Sequence, residues 1–173
     1  MITIVCGTNR PNSNSHKIAA FYSAELEKQG VEWSYVQLED LPRDFLFADM
    51  FGNRTGYMQQ LIDEKIQPAS KFVFVIPEYN GGFPGVLKAF TDSIPPAMFH
   101  GKKAGLVGLS SGHTGSLRGM DQFSNVLNYL RVNVLFSKPK LSHVESLINE
   151  VGELVDERAV KQLQEHARLM VQF

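Results

Sequence analysis

The chain has 173 residues, of which 43% are hydrophobic and 20% charged, and its 17 basic and 18 acidic side chains leave a formal net charge of -1. This composition predicts one soluble globular domain over residues 1–173 and argues against a disordered chain. The near balance of charge provides no field that attracts nucleic acid or an anionic membrane, and no apolar run approaches the roughly 20 residues that span a bilayer. We therefore expect neither partner.

The chain contains a single cysteine, Cys6, at the end of its first apolar run. One cysteine forms no internal disulfide, so nothing in the sequence requires an oxidising compartment. The first residues enter an apolar run at once and lack the basic region and cleavage site of a signal peptide. These features predict a cytoplasmic protein in which Cys6 is an inert core residue.

Short apolar runs alternate with amphipathic stretches along the chain. Strands are predicted at 2–6, 32–38, 72–76, 103–109 and 132–136. Helices are predicted at 13–29, 55–67, 84–93, 117–130 and 157–171. The phenylalanine-rich stretch 41–54 is too apolar for an ordinary linker and is typical of core or of a contact between subunits. Five strands that alternate with helices predict a parallel, doubly wound sheet, although the pattern leaves the strand order open.

Polar side chains follow the first predicted strand, in the segment 7–16. Parallel sheets bind ligands at the carboxyl ends of their strands, and a helix that begins there offers free backbone N–H groups to an anion. Thr8, Ser13 and Ser15 add hydroxyl donors, and Arg10 adds a bidentate, charge-assisted pair. The segment is a candidate phosphate site. The alternative is that Ser13 only caps the following helix.

A second segment, 77–85, follows the third predicted strand and joins an aromatic side chain to a flexible backbone. Tyr79 and the neighbouring peptide edges suit a planar ligand, and the glycines Gly81 and Gly82 allow the backbone to approach it closely. A lone carboxylate such as Glu78 is weak evidence for acid–base catalysis and is more often structural. This segment is the candidate site for a flat ring.

A third polar segment, 110–115, follows the fourth predicted strand and is expected to line the same cleft. His113 lies in it, but no nucleophile and base accompany this histidine, so a catalytic role is not predicted. The other histidines show no metal-ligand spacing with one another or with Cys6, and no metal site is predicted.

At these residues the chain resembles the NADPH-dependent FMN reductase family, which includes quinone, azo-dye and chromate reductases. The family's first loop usually reads Gly-Ser-x-Arg-x-x-Ser-x-Asn, and its second is close to Pro-Glu-Tyr-Asn-x-Ser-x-Pro-x-x-Leu-Lys-Asn-x-x-Asp-Trp. The matching residues are Gly7, Arg10, Ser13, Pro77, Glu78, Tyr79, Asn80, Pro84, Leu87, Lys88 and Asp92. The departures are Thr8 for Ser, Ser15 for Asn, Gly82 for Ser, Ala89 for Asn and Ser93 for Trp.

The resemblance implies an α/β fold, namely a flavodoxin-like three-layer doubly wound sandwich with a five-stranded parallel sheet, as a single FMN-binding domain. It also implies a set of cofactor-binding residues, and no catalytic side chain, because the flavin carries the chemistry. The residues implied at the phosphate end are Thr8, Arg10, Ser13 and Ser15, and His16 is implied as a further cofactor-binding residue. Those implied along the isoalloxazine ring are Pro77, Glu78, Tyr79, Asn80 and Gly81, with Ser111, Gly112 and His113 at the ring's other side.

In function, the resemblance implies an FMN-dependent oxidoreductase that takes hydride from NADPH, or from NADH, by a ping-pong mechanism. The electrons then pass to a quinone, an azo compound, a flavin or a similar small-molecule acceptor. Family members are commonly homodimers or homotetramers, so a homo-oligomer is implied as well. Two alternatives stay open. One is a flavodoxin-like electron carrier, which the near-zero net charge disfavours. The other is a degenerate flavin-free binding protein, which the departures at Gly82 and Ala89 favour.

Overall fold

A computed structural model describes all 173 residues of the chain. The strands are β1 (Ile2–Cys6), β2 (Trp33–Gln37), β3 (Lys71–Pro77), β4 (Lys103–Leu109), β5 (Asn133–Val134) and β6 (Lys140–Leu141). The helices are α1 (Asn14–Lys28), α2 (Phe45–Ala48), α3 (Gly56–Leu61), α4 (Gly85–Ser93), α5 (Leu117–Tyr129) and α6 (Glu157–Gln172), and a π-helical turn, Ile62–Ile66, extends α3. None of these helices is both long enough and apolar enough to cross a bilayer.

The strands form one parallel sheet in the order β2-β1-β3-β4-β5, with β6 also paired to β4. This order is that of the flavodoxin-like doubly wound fold. The predicted α/β architecture is therefore confirmed, and the structure adds the strand order.

The prediction of one strand at 132–136 is only partly correct. Two short strands, β5 and β6, share the fifth position of the sheet, and only β5 lies in the predicted range. β5 pairs with β4 at Lys103 and Ala104, whereas β6 pairs with it at Gly108 and Leu109. Between them Pro139 accepts a hydrogen bond from the Gly108 N–H (2.9 Å) but has no N–H of its own to give back. The chain therefore leaves the sheet after β5 and pairs with β4 again at β6.

The sheet is buried on both faces because helices cover each side, which explains the continuous apolar runs of its central strands. Alternate residues of β3 supply the two cores: Phe72 and Phe74 face one, and Val73 and Val75 face the other. The first core is closed by α3, α4 and α5, and the second by α1 and α6. This packing fixes the carboxyl ends of β1, β3 and β4 side by side.

The stretch that follows β2, for which core and a contact between subunits are both expected, is only partly core. Phe45 of α2 is buried, but Phe47 and Phe51 are 88% and 96% exposed. The buried carboxylate of Asp49 accepts a hydrogen bond from the Thr55 N–H, and this bond joins the two ends of the segment 49–55. The fold thus presents two phenyl rings to solvent on an anchored segment.

A buried polar pair joins the two helices of the second core. The Tyr22 hydroxyl on α1 lies 2.8 Å from Nδ1 of His166 on α6, and both side chains are fully buried. Burial lowers the pKa of His166 to about 4. A neutral imidazole is therefore the form that the fold accommodates.

We expect this histidine to make the protein less stable in mild acid. The unfolded chain binds a proton at His166 near pH 6.5, whereas the folded chain binds it only near pH 4. The stabilisation is complete above the unfolded pKa and is lost as the pH falls towards the folded one, by about 2 kcal/mol between pH 7 and pH 5. Urea unfolding at stepped pH measures it. His166→Gln is the control, and an equally steep loss in that variant would contradict the assignment.

Candidate functional site

Three loops meet above the carboxyl ends of β1, β3 and β4. The first loop (residues 7–13) precedes α1, the second (78–84) precedes α4, and the third (110–116) precedes α5. A cleft of about 330 Å³ lies between them. It is lined by residues 10–15, 77–79 and 109–111, and by Val144 and Glu145.

Two serines at the start of α1 carry the clearest mark of a binding site. Ser13 and Ser15 line the cleft and are only 7% and 1% exposed, yet neither hydroxyl has a hydrogen-bond partner. Ser13 is the N-cap residue of α1, but its side chain makes no capping hydrogen bond. A buried hydroxyl without a partner costs about 1–3 kcal/mol. The arrangement suits an anionic ligand that accepts hydrogen bonds at the positive end of the helix.

Thr8 connects the first loop to the second from below the cleft. Its hydroxyl lies 2.7 Å from the Tyr79 hydroxyl and accepts a hydrogen bond from the Arg10 N–H at 3.2 Å. Because Thr8 is fully buried, these contacts fix the backbone at Arg10 and the ring of Tyr79 relative to each other. The exposed Arg10 side chain forms no ion pair and borders the cleft.

The second loop turns tightly directly after β3. Tyr79 and Gly82 exchange backbone hydrogen bonds of 2.9 and 3.1 Å across the turn. Asn80 and Gly81 between them have positive φ angles of 51° and 79°, as a type I′ turn requires and as the Asn-Gly pair favours. Glu78 accepts a hydrogen bond from the Thr114 hydroxyl (2.7 Å), so its carboxylate joins the second loop to the third.

Glu145 enters the cleft from the segment after β6, and sequence reasoning missed it. The Ser111 hydroxyl donates to its carboxylate at 2.6 Å. That hydrogen bond is the main cause that lowers the pKa of Glu145, and the charge of Arg10 contributes in the same direction. No local motif marks this residue, because its position depends on the short strand β6.

His113 belongs to a second group of contacts on the outer side of the third loop. Its Nδ1 atom lies 2.9 Å from Nε2 of His143, and the two rings are nearly perpendicular. The His143 N–H donates to the carbonyl of Gly112 at 3.0 Å. These contacts hold the third loop against residues 142–145, and the His113 side chain lines a neighbouring cavity rather than the cleft.

The structure brings some of the predicted site residues to the cleft wall and leaves others outside it. The cleft is lined by Arg10, Ser13, Ser15, Pro77, Glu78, Tyr79 and Ser111. The residues outside its lining are Thr8, His16, Asn80, Gly81, Gly112 and His113. His16 points towards β2, with Nδ1 3.0 Å from the Tyr35 hydroxyl and Nε2 3.2 Å from the Glu39 carboxylate.

Cys6 lies beneath the cleft at the end of β1. It is fully buried, and burial raises its pKa to about 11. The thiolate is the reactive form of cysteine, so this residue supplies no nucleophile near neutral pH. The cleft therefore offers hydrogen-bond donors and an aromatic hydroxyl, which suit binding more than covalent catalysis.

The comparison with known families identifies the class to which this fold and cleft belong. Residues 1–145 match the model of the family described as NADPH-dependent FMN reductase, and the chain belongs to that family. The predicted family, the enzyme class and the cofactors FMN and NAD(P)H are thereby confirmed.

Individual relatives agree with this assignment. The chain is 29% identical over 169 residues to a 2-hydroxy-1,4-benzoquinone reductase of a Burkholderia species, covering 94% of this chain and 90% of that protein. It is 33% identical over 112 residues to an NAD(P)H-dependent FMN reductase of Pseudomonas aeruginosa, covering 62% and 60%. The solved structure of the flavoenzyme NAD(P)H:(acceptor) oxidoreductase FerB from Paracoccus denitrificans shares the fold, with a TM-score of 0.81, 24% identity, and 99% and 94% coverage.

Proposed function

We propose that this protein transfers two electrons from a nicotinamide nucleotide, through FMN bound in the cleft, to a small-molecule acceptor, in a ping-pong sequence. The observation that carries the proposal is the pair of buried, unpartnered hydroxyls of Ser13 and Ser15 at the start of α1. A phosphate monoester satisfies both hydroxyls and the free N–H groups of the helix terminus together. The family assignment supplies the identity of that phosphate ligand.

At the phosphate end, this chain's residues would bind and orient the cofactor. Ser13, Ser15 and the first N–H groups of α1 would donate hydrogen bonds, and Arg10 would add a charge-assisted pair. Thr8 would act indirectly, because its hydroxyl holds the Arg10 N–H and the Tyr79 ring in place.

At the ring end, the second and third loops would form the seat of the isoalloxazine. Bound FMN would supply the redox chemistry, by accepting a hydride from the nicotinamide and returning two electrons to the acceptor. The backbone N–H groups of Asn80 and Gly81 have no hydrogen-bond partner and would stabilise negative charge on the ring. The hydrogen bond between Thr114 and Glu78 keeps the two loops at a fixed separation.

A quinone is the acceptor class that we propose first. The relative that matches over nearly the whole chain is named a 2-hydroxy-1,4-benzoquinone reductase. Because the nicotinamide and the acceptor would use the same open face of the ring in turn, the reaction needs only one cleft, and the structure offers one beside these loops.

The decisive experiment is anaerobic stopped-flow absorbance of the FMN-loaded protein after mixing with NADPH or NADH. Rapid bleaching of the flavin band, followed by recovery on addition of a benzoquinone, is expected. Bound flavin that stays yellow with both nucleotides would contradict the proposal and indicate an electron carrier. Failure to bind FMN at all would indicate a flavin-free binding protein.

A homodimer or homotetramer is proposed as the assembled state. The 88% and 96% exposed rings of Phe47 and Phe51 support it, because anchored aromatic side chains in solvent favour burial against another surface. Light scattering on wild type and on the Phe47→Ser, Phe51→Ser double variant measures the mass directly. A wild-type monomer at micromolar concentration would contradict this part of the proposal.

Replacement of Arg10 by alanine should weaken FMN binding by about 2 kcal/mol, or roughly thirtyfold, since a hydrogen bond to a charged group contributes 1.5–3 kcal/mol. Arg10 is exposed and forms no ion pair, so stability should be unchanged. Fluorescence titration of FMN measures the effect. Arg43→Ala is the matched control, because Arg43 is likewise exposed, forms no ion pair and lies outside the cleft lining. An equal loss in both variants would remove Arg10 from the site.

A further inference from the structure

A second cavity lies on the outer side of the third loop. It has a volume of about 510 Å³ and is hereafter the α6 cavity. His113 and Thr114 of the third loop form one wall, and the first turn of α6 forms another. Ser111 of the same loop lines the cleft, so a few residues of backbone separate the two spaces.

The lining of the α6 cavity is cationic although the whole chain is nearly neutral. Lys138, Lys140 and Arg158 contribute positive charges, and Asp156 contributes the one carboxylate. Asp156 caps α6, because its side chain accepts a hydrogen bond from the Ala159 N–H at 2.8 Å. The unbalanced charge predicts affinity for an anion.

Two of these cations have no counter-charge of their own. Lys138 lies 3.7 Å from the Asp121 carboxylate and donates to the Ser124 hydroxyl, which leaves it partly engaged. No carboxylate lies within 4.0 Å of Lys140 or Arg158. Both are therefore available to a ligand.

The position of Arg158 is unfavourable for the helix that carries it. It is the second residue of α6, at the end where the helix dipole is positive and a cation is disfavoured by a few tenths of a kcal/mol. The same dipole adds to the attraction of the guanidinium for an anion. Arg158 thus suits ligand binding better than it suits helix stability.

Lys140 is placed by direct packing against the third loop. A Cβ atom on Gly115, which has a φ of +55°, would lie 2.7 Å from the Lys140 Cβ. The backbone of β6 and the loop beside the proposed flavin ring are therefore in close contact. Lys140 therefore lies directly beside the third loop, in the lining of the α6 cavity.

We infer that the α6 cavity binds the 2′-phosphate of NADPH through Arg158 and Lys140, and so makes the protein prefer NADPH to NADH. The two nucleotides differ only in that phosphate, which is an anion that a guanidinium binds in bidentate fashion. With the nicotinamide over the ring, the adenosine end must leave the cleft, and the third loop is the wall between the cleft and these free cations. The inference rests on the proposed function in one respect, namely that the nicotinamide lies over the flavin ring.

Calorimetric titration of the FMN-loaded protein with two probes tests the site without turnover. Adenosine 2′,5′-bisphosphate carries the phosphate in question, and adenosine 5′-monophosphate lacks it. We expect the bisphosphate to bind wild type at least about tenfold more tightly than the monophosphate. Arg158→Ala and Lys140→Ala should each remove most of that difference, whereas Arg168→Ala, further along α6, should preserve it.

Steady-state kinetics supply the second readout. In Arg158→Ala the KM for NADPH should rise about tenfold while the KM for NADH and kcat stay constant, as expected for a contact made only by the 2′-phosphate. Alanine is a good helix former, and Arg158 is exposed, so the variant is expected to fold.

Three results would overturn the inference: equal wild-type affinity for the two probes, an affinity difference that survives both alanine variants, or inorganic phosphate binding as tightly as the bisphosphate. A fourth result separates this site from the proposed function. If neither nucleotide bleaches the flavin but bisphosphate binding still depends on Arg158, the phosphate site stands and the proposed reaction fails.

Discussion

Replacement of Ser13 by aspartate is expected to weaken FMN binding roughly a thousandfold while the free energy of unfolding stays the same or rises. Aspartate is as good an N-cap as serine, and its charge is favoured at the start of a helix. The aspartate carboxylate would also lie where we propose that the FMN phosphate binds. Two unit charges about 4 Å apart near a protein surface repel by about 4 kcal/mol, which is a factor of about a thousand in the dissociation constant.

Ser13→Asn is the matched control, because asparagine has nearly the same shape and capping preference as aspartate but no charge. Its dissociation constant for FMN should stay within about tenfold of wild type, since it loses one hydrogen bond at most. Riboflavin, which lacks the phosphate, should bind the two variants equally. Fluorescence titration of wild type and both variants with both flavins gives the six constants needed.

Equal FMN affinity in the aspartate and asparagine variants would place the phosphate elsewhere. An equal loss of FMN and riboflavin binding in Ser13→Asp would indicate damage to the first loop instead of charge repulsion. Thermal unfolding separates that case, because damage lowers the midpoint whereas repulsion leaves it unchanged. The structure favours repulsion, since Ser13 lines the cleft and its buried hydroxyl has no hydrogen-bond partner.

The parts of the fold that could be predicted are those in which burial dictates the sequence. β1, β3 and β4 are covered on both faces, so each is a continuous apolar run that shows its strand directly. The polar segments that follow β1 and β3 stand out against these runs. Their placement at one edge of the sheet then follows from the parallel arrangement alone.

The parts that could not be predicted depend on contacts between distant segments. β5 and β6 have two residues each, too few for any periodicity to be visible. Glu145 reaches the cleft only because β6 returns to the sheet, and the pairing of His113 with His143 joins segments 30 residues apart. These residues carry no local signal.

The phenylalanine-rich stretch shows a different limit of sequence reasoning. Composition indicates that it is apolar but does not distinguish core from surface. Of its three phenylalanines only Phe45 is buried, and the rings of Phe47 and Phe51 face solvent. Apolar residues remain common on protein surfaces, so a run of them does not by itself locate the core.

One departure from the family pattern changes a single side-chain contact. A Cβ atom at Gly82 would lie 2.8 Å from the side-chain oxygen of Gln122, whose amide nitrogen donates to the Gly81 carbonyl at 3.4 Å. Gln122 of α5 is exposed and its side chain can move, so a serine at position 82 would displace this contact at little cost. The turn keeps its hydrogen bonds between Tyr79 and Gly82, so the departure changes the contact with α5 and leaves the turn intact.

Replacement of Gly108 by alanine is expected to lower the free energy of unfolding by about 3 kcal/mol, the upper end of what overpacking of a tight core costs. Gly108 lies on β4 directly beneath the third loop. A Cβ atom there would overlap the Gly115 carbonyl oxygen and lie 2.6 Å from Cε of Met120. The methionine can move, but the carbonyl belongs to a loop that is already packed on Lys140.

The substitution should therefore affect stability and binding together. Displacement of the third loop would also separate Thr114 from Glu78 and open the seat that we propose for the flavin ring. Gly112→Ala is the matched control in the same loop, because a Cβ there meets no atom within 4 Å. Urea unfolding followed by circular dichroism measures both variants. A loss below about 1 kcal/mol in Gly108→Ala would mean that the third loop is not braced by the strand beneath it, and that its geometry at the cleft is set by the ligand instead.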